Sequence, residues 1–223
     1  MKTIAVIPAF NEETTLRDVL EGLVTAVDEV VVVDDGSSDA TSRIASAARV
    51  TLVRHIINRG LGAALATGFE AALGHGGEII LTLDADGQHD PDDIPRFVQA
   101  IENGADIVIG SRLLNPKGMP WRRRLANRAS NVVTLILFGA WVSDSQSGFR
   151  AFRRDAIERM EITTDRMEVS SEIIAEARRH RMTLAEIPIK AIYTEYSLSK
   201  GQSLKVGLKT LARLLLRRLT PRA

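Results

Sequence analysis

The stretch Leu81-Thr-Leu-Asp-Ala-Asp-Gly-Gln-His-Asp-Pro91 ends a short apolar run on two carboxylates that are separated by one residue. The run from Ile79 to Leu83 is typical of a buried strand, and a glycine and a proline follow it, so Asp84 and Asp86 are expected just past the strand's carboxyl end. Two hard oxygen ligands suit a divalent cation such as Mg2+ or Mn2+, which would hold a diphosphate. The alternative is a solvated turn, because Asp and Gly are common turn residues for local reasons.

The composition narrows the class of protein. A chain of 223 residues with 45% hydrophobic and 26% charged residues is typical of a globular protein with one sizeable core. A formal net charge of +1 provides no global field that would attract nucleic acid. The absence of cysteine excludes disulfides and cysteine nucleophiles and favours a reducing cytoplasm. The first apolar run is too short for a signal peptide, and no apolar stretch approaches the roughly 20 residues of a spanning helix.

One pattern recurs through the first half of the chain: a short apolar run, a polar turn and then a helix. It predicts strands at residues 3–7, 29–33, 50–54, 78–83 and 106–110, with helices at 14–27, 40–48 and 91–103 and another after the turn at 58–62. Such alternation implies an α/β fold whose mostly parallel sheet carries helices on both faces. Ligands of these sheets bind outside the carboxyl ends of the strands. We therefore expect one crevice to be lined by residues 8–12, 34–38, 84–88 and 111–112.

The second half of the chain is organised differently. Residues 121–128 contain four arginines in eight positions and precede an apolar, helical stretch at 132–142. A polar loop at 143–150, a helix at 170–180 and a strand at 184–189 follow. The tail at 204–223 places leucines on one helical face and cations at i+4 spacing beside them, which is typical of a basic amphipathic helix.

Four segments of the first half, in this order and spacing, resemble the GT-A glycosyltransferases of family 2. They are Ile7-Pro-Ala-Phe-Asn-Glu-Glu13, Val33-Asp-Asp-Gly-Ser-Ser-Asp39, Asn58-Arg-Gly-Leu-Gly62 and Asp84-Ala-Asp-Gly-Gln-His-Asp-Pro91. The resemblance implies a Rossmann-like GT-A domain, here residues 1–203, and a nucleotide-sugar donor. The residues it places at the base, ribose and diphosphate of the donor are Pro8, Phe10, Glu12, Asp35, Asp84, Ala85 and Arg128. It assigns Mg2+ or Mn2+ to Asp84, Asp86 and Gln88.

Alternatives remain for several of these residues. One carboxylate of Asp34 and Asp35 suits a helix-capping turn as well as a nucleotide site. The glycines of residues 58–62 lack the spacing of a phosphate-binding loop, so they do not predict phosphate binding, and a glycine pair before an Ala-rich helix is equally typical of close packing. His89 either completes the metal site or holds its loop, and the second interpretation is favoured.

Five segments of the second half are similar to dolichyl-phosphate mannose or glucose synthases. They are residues 110–112, 121–128, 145–152, 168–172 and 196–200. The resemblance implies inverting transfer of a hexose from a donor of the GDP-mannose or UDP-glucose type to a polyprenyl monophosphate, with residues 147–150 shaping the sugar pocket. Asp86, Arg112, Arg123 and Lys200 are the predicted catalytic residues. Arg128 joins these cations around the lipid phosphate and the departing diphosphate, although a run such as 121–128 is equally typical of a solvated helix end.

The charged residues available agree with the phosphate acceptor that the resemblance implies. A phosphate is already anionic near neutral pH, so it needs cations to position it more than a general base. Relatives that act on hydroxyl groups often carry an adjacent acidic pair at the start of a late helix, whereas this chain has the single glutamates Glu168 and Glu172 there. Two alternatives stay open: a hydroxyl acceptor with one of these glutamates as the base, and a non-catalytic subunit that binds a nucleotide sugar.

Two apolar features bear on contact with a membrane. The stretch at 132–142 belongs either to the core or to a helix lying in the membrane interface beside a prenyl chain, and the adjacent arginines favour the interface. The tail helix suits packing on the sheet, anionic lipid or a membrane-embedded partner subunit. We expect a peripheral enzyme at the cytoplasmic face of the membrane.

Overall fold

The computed structural model describes residues 1–116, 119, 121–139, 141–190 and 192. The predicted tail helix at 204–223 lies outside these residues. The strands are β1 (Thr3–Ala9), β2 (Glu29–Asp34), β3 (Thr51–Arg54), β4 (Ile79–Thr82), β5 (Ile107–Ser111), β6 (Arg150–Arg153) and β7 (Leu184–Pro188). The helices are α1 (Leu16–Leu23), α2 (Thr41–Ala47), α3 (Leu61–Gly74), α4 (Ile94–Glu102), α5 (Trp121–Phe138), α6 (Arg154–Arg159) and α7 (Val169–Arg179), and a single 3-10 turn (Pro91–Asp93) precedes α4.

The described strands form one sheet in the order β3-β2-β1-β4-β6-β5-β7. The pairs β1/β2, β1/β4, β2/β3 and β5/β7 are parallel, whereas β6 runs antiparallel to both β4 and β5. The predicted α/β fold with a mostly parallel sheet is therefore confirmed. Strand β6 was not predicted, because a four-residue segment with arginine at both ends has no apolar alternation to mark it.

Helices cover both faces of the sheet, as predicted. Alternate residues of β1 point to opposite sides, so Ile4 and Val6 pack with α3 and α7 while Ala5 and Ile7 pack with α1 and α4. Because both faces are buried, the central strands consist almost wholly of apolar residues, which is why they are recognisable in the sequence.

Helix α5 differs from its predicted form. The arginine-rich segment and the apolar stretch make one helix, which begins at Trp121 and ends at Phe138 instead of continuing to Val142. Gly139 has φ 63°, the left-handed conformation that commonly ends a helix, and Val142 then turns into the core. Leu125, Val132 and Ile136 are exposed, so α5 carries an apolar face at the surface, and the choice between core and membrane interface for the stretch at 132–142 stays a prediction. Within the described residues we find no helix that is both long and apolar enough to cross a membrane.

Candidate functional site

The loops after β1, β2 and β4 meet at the carboxyl edge of the sheet. The backbone N–H of Asn11 donates to Ser37 Oγ at 2.9 Å, and Thr15 Oγ1 donates to the carbonyl of Ala85 at 2.7 Å. These two bonds tie three loops that are far apart in sequence into one crevice. The crevice lies where the strand order changes direction, which is the usual ligand site of open α/β sheets.

The acidic pair lies at this edge, immediately after β4. Asp86 Oδ1 and Oδ2 accept hydrogen bonds from the backbone N–H of Gln88 at 3.0 Å and from its side-chain Nε2 at 2.7 Å. Asp84 Oδ2 lies 3.1 Å from His89 Nε2, and the Asp84 side chain remains 39% exposed. Gly148 closes the other side of this carboxylate, because a Cβ there would lie 2.3 Å from Asp84 Oδ1.

The two carboxylates differ in acidity. Burial raises the pKa of Asp86, and the negative charge of Asp84 raises it further. Burial opposes ionisation of Asp84 as well, but the hydrogen bond and charge of His89 and the charges of Arg112 and Arg150 outweigh burial and lower the pKa of Asp84. The pair therefore carries mutual repulsion that a bound cation would relieve.

The carboxylate oxygens of the acidic pair suit a divalent cation that also binds a diphosphate. Asp84 and Asp86 supply hard oxygen ligands, and the described residues hold no cluster of three or more acidic or histidine side chains arranged around a metal position. Two protein carboxylates plus substrate phosphates are the usual way in which Mg2+ is bound. His89 contacts Asp84, and its buried Nδ1 has no hydrogen-bond partner in the described part of the chain. The imidazole thus contacts the Asp84 carboxylate directly, and the interpretation that His89 holds the loop stays a prediction.

Two arginines supply positive charge behind the acidic pair. Arg112 Nε and Nη2 donate to Asp144 at 2.7 and 2.9 Å, and the Arg112 backbone N–H donates to the same carboxylate at 3.1 Å. Arg150 is buried and donates to the backbone carbonyls of Ser145 and Ser147. Burial lowers the pKa of Arg150 to about 10, although the charges of Asp144 and Asp84 oppose this change. Arg150 remains a cation at neutral pH.

The adjacent aspartates at the end of β2 accept hydrogen bonds from different loops. Asp34 is fully buried and accepts from the Ser37 backbone N–H at 2.9 Å, so it closes the turn before α2. Asp35 lies one residue further and accepts from the backbone N–H groups of Arg59 and Gly60 at 2.9 and 2.7 Å. His55 Nδ1 also lies 2.7 Å from Asp35. Asp34 therefore serves the local turn, while Asp35 shapes the loop at 58–62.

The predicted base and ribose residues lie at the same edge. Phe10 is 43% exposed beyond β1, and the negative charge of Glu12 contributes to the raised pKa of Asp86. Pro8 lines a small recess beside Asp84, together with Thr82, Ser147 and Arg150. The structure thus brings Pro8, Glu12 and the acidic pair together, and their contacts with a donor stay predictions.

The glycines of residues 58–62 permit close packing. A Cβ on Gly62 would lie 1.8 Å from the carbonyl oxygen of Thr164, and one on Gly60 would lie 2.4 Å from that of Asp165. Gly60 also has φ 106°, which side chains rarely adopt. The packing interpretation of these glycines is therefore the one that the structure shows.

The segment that packs on these glycines is fixed by Glu172 on α7. Its carboxylate accepts from the backbone N–H and the hydroxyl of Thr163 at 3.1 and 2.7 Å, and from the backbone N–H of Thr164 at 2.9 Å. The Thr164 hydroxyl also donates to it. Glu172 is 3% exposed, so this buried carboxylate orders a loop.

The structure describes the side chain of only one of the other three predicted cations. Arg128 is exposed on α5, whereas the side chain of Arg123 and the whole of Lys200 lie outside the described residues. The sequence interpretation missed Asp144, and it placed Arg150 only within the segment 147–150 that shapes the sugar pocket, without a partner. Both lie in or next to a predicted polar loop, and nothing in the linear pattern pairs a loop aspartate with an arginine 32 residues earlier.

An Asp-x-Asp pair at the carboxyl edge of this sheet is the arrangement that the resemblance to GT-A glycosyltransferases predicts. A solved structure of glucosyl-3-phosphoglycerate synthase from Mycobacterium tuberculosis, in complex with Mn2+, UDP and phosphoglyceric acid, superimposes with a TM-score of 0.75 over 100% of this chain and 80% of that chain. At 20% identity this likeness shows the fold. The chain belongs to glycosyl transferase family 2, whose sequence profile matches residues 4–160.

Individual relatives extend the similarity over almost the whole chain. A UDP-N-acetylglucosamine--dolichyl-phosphate N-acetylglucosaminyltransferase of Methanococcus voltae is 37% identical, with 95% of this chain and 94% of that protein covered. A polyprenol monophosphomannose synthase of Mycolicibacterium smegmatis is 30% identical, with 89% and 80% covered. An uncharacterised protein of Methanocaldococcus jannaschii is 45% identical, with 96% and 91% covered. The chain thus resembles polyprenyl-phosphate glycosyltransferases within the family.

Proposed function

We propose that this enzyme transfers a sugar, with inversion at the anomeric carbon, from a nucleotide sugar to a polyprenyl monophosphate. The products are a polyprenyl-phosphate sugar and a nucleoside diphosphate. The donor is a nucleotide-activated hexose or N-acetylhexosamine; the names of the relatives include both a mannose and an N-acetylglucosamine transferase and so support this range. Residues 1–203 would form the catalytic domain, with 204–223 as a basic helix.

The observation that carries the choice of acceptor is the position of Glu172. A hydroxyl acceptor needs a carboxylate that is ready to take its proton, whereas the Glu172 carboxylate is buried and hydrogen-bonded to Thr163 and Thr164. Glu168, the other candidate base, is buried as well. An anionic phosphate oxygen needs no such base. It needs cations that position it beside the anomeric carbon, and Arg112 lies close enough to affect the acidity of Asp84.

On the donor side, Pro8, Phe10, Glu12 and Asp35 would surround the base and ribose. Asp84, Asp86 and Gln88 would hold Mg2+ or Mn2+, which when bound neutralises the diphosphate that departs. Within the chain, His89 and Gly148 fix where the Asp84 carboxylate lies. A phosphate oxygen of the acceptor forms the new bond to the anomeric carbon as the bond from that carbon to the diphosphate breaks, and no proton has to be removed.

On the acceptor side, helix α5 would rest on the membrane. Leu125, Val132 and Ile136 are exposed at the spacing of one helical face, and Arg128 is exposed nearby on the same helix. Exposed apolar residues next to cations suit an interface that contains anionic phosphate groups. We place the enzyme at the cytoplasmic face as a peripheral protein, with Arg112, Arg123, Arg128 and Lys200 around the lipid phosphate. A membrane-embedded partner subunit would suit the basic tail.

The test is a donor panel. The protein is incubated with UDP-N-acetylglucosamine, UDP-glucose or GDP-mannose, with polyprenyl phosphate or polyprenol, and with Mg2+, Mn2+ or EDTA. We expect one donor to release its nucleoside diphosphate and to label polyprenyl phosphate only, with activity lost in EDTA. Labelling of polyprenol at a comparable rate would identify a hydroxyl transferase instead.

A matched pair of variants tests the metal assignment. Asp86→Asn removes one predicted metal carboxylate and should abolish transfer, whereas Asp92→Asn changes an exposed aspartate in the same loop and should leave the rate unchanged. Full activity of Asp86→Asn in EDTA would contradict the assignment of a metal to this pair.

A further inference from the structure

The side chain of Asn131 on helix α5 holds the loop that contains Asp144. Its Nδ2 donates to the carbonyl of Ser143, and its Oδ1 accepts from the backbone N–H of Ser145 at 2.9 Å. The carbonyl needs a donor and the N–H needs an acceptor, so this amide orientation is the one that satisfies both groups. Asn131 is 3% exposed and therefore fixes the backbone on both sides of Asp144 from within the protein.

The aspartate held in this way is the group that orients Arg112. Asp144 is fully buried and accepts two side-chain hydrogen bonds and one backbone hydrogen bond from Arg112. A planar guanidinium bonded twice to one carboxylate has almost no freedom to turn. Movement of the loop around Asp144 would therefore move Arg112, and with it the positive charge that lowers the pKa of Asp84.

A second contact shows that the same loop is fixed from the sheet as well. The backbone N–H of Ser143 donates to Glu186 Oε1 at 2.7 Å, and its hydroxyl donates to the same oxygen at 2.6 Å. The loop is thus held between β7 and α5. Strand β7 belongs to the sheet, whereas α5 lies on the surface. A shift of α5 would therefore reach the loop through the hydrogen bonds of Asn131.

We propose that Asn131 is a positioning residue through which the surface helix α5 sets the placement of Arg112 beside the acidic pair. This inference rests on the proposed function, because Arg112 is the cation assigned to the phosphate groups. It also gives α5 a second role: the helix with the exposed apolar face is bonded directly to the loop that orients an active-site arginine.

The test compares two asparagines of one helix. Asn131→Ala removes both bonds to the loop, whereas Asn127→Ala, one turn earlier on α5, is the matched control. We expect Asn131→Ala to lower kcat by at least ~10-fold with the KM for the donor little changed, because a misplaced cation weakens the transition state more than donor binding. Asn127→Ala should retain the wild-type kcat.

A double-mutant cycle separates positioning from general damage to the fold. In an Arg112→Lys background the geometry set by Asp144 is already lost, so Asn131→Ala should lower kcat by less than about twofold further. Equal losses in the two backgrounds would overturn the proposal. If Asn131→Ala does not fold, Asn131→Ser is used in the same cycle, because it keeps a neutral polar side chain that is too short to bond both Ser143 and Ser145.

Amide hydrogen exchange tests the positioning role of Asn131 without measuring sugar transfer. The backbone N–H of Arg112 donates to Asp144, so its exchange should accelerate in Asn131→Ala and stay at the wild-type rate in Asn127→Ala. Unchanged exchange at Arg112 in Asn131→Ala would overturn the positioning role. If instead the wild type labels no polyprenyl phosphate with any donor, the proposed function is refuted, while the exchange measurement still decides the role of Asn131.

Discussion

Replacing Gly148 by alanine should disable the acidic pair without unfolding the protein. The new Cβ would lie 2.3 Å from Oδ1, 2.4 Å from Oδ2 and 2.5 Å from Cγ of Asp84. Non-bonded heavy atoms are most stable at about 3.5–4.0 Å, so the carboxylate must retreat by roughly 1 Å. The obstructing group is the end of a side chain, so it can turn away while the backbone stays in place.

The size of the effect follows from this displacement. A retreat of the carboxylate lengthens the 3.1 Å contact with His89 Nε2 and moves one of the two predicted metal oxygens. A misplacement of about 1 Å near reacting groups costs on the order of 10²-fold in rate. That loss corresponds to about 2.7 kcal/mol of transition-state stabilisation. We expect Gly148→Ala to lose at least this much activity.

Three quantities are measured for each variant. They are the rate of nucleoside diphosphate release, the affinity for nucleoside diphosphate in the presence of Mn2+, and the midpoint temperature of thermal unfolding. The matched control is Gly74→Ala at the end of α3, where a Cβ would meet nothing within 4 Å. This control should be neutral or stabilise the protein by up to about 1 kcal/mol. If Gly148→Ala retains wild-type rate and affinity, the position of the Asp84 carboxylate against Gly148 is irrelevant to catalysis and the reasoning is wrong.

Three further substitutions test the loop, the glycine contact and the surface helix. Glu172→Gln presents a donor to N–H groups that need an acceptor, so it should lower the free energy of unfolding by about 1–3 kcal/mol, measured in urea, with kcat within about threefold of wild type. Gly62→Ala should cost about 3 kcal/mol in the same measurement, because its Cβ would meet the backbone oxygen of Thr164 at 1.8 Å. Val132→Asp should weaken binding to anionic vesicles by about tenfold in flotation, because it removes apolar surface and adds a negative charge. Val24→Asp, at an exposed position after α1, is its control.

Each of these expectations has a result that contradicts it. A loss of kcat by 10²-fold in Glu172→Gln with an unchanged unfolding transition would identify this residue as a general base. An unaltered stability of Gly62→Ala would mean that the segment around Thr164 does not lie against α3. Equal vesicle binding by Val132→Asp and Val24→Asp would show that α5 is not the surface that meets lipid.

Much of the fold was readable from the sequence because it depends on short-range patterns. Strands that are buried on both faces consist of near-continuous β-branched runs, and each run ends at a polar turn, so β1, β2 and β4 were found close to their observed bounds. Strand β6 was not found, because it is short, has arginine at both ends and pairs with strands that lie far away in the chain. The end of α5 was misplaced because one glycine, and not a change in hydropathy, terminates it.

The sequence by itself determined the family, the parallel sheet and the position of Asp84 and Asp86 at a strand end, since motif order and apolar periodicity are properties of the linear chain. Only the tertiary structure decided what the remaining polar residues do. Glu172 accepts hydrogen bonds from the loop at Thr163 and Thr164, Asp35 accepts from the glycine turn, and Asp144 accepts from Arg112. Asn131 is bonded to the backbone of the two residues that flank Asp144. These roles depend on hydrogen bonds between residues that meet only when the sheet and its helices have assembled, and no local pattern encodes which buried donor meets which acceptor.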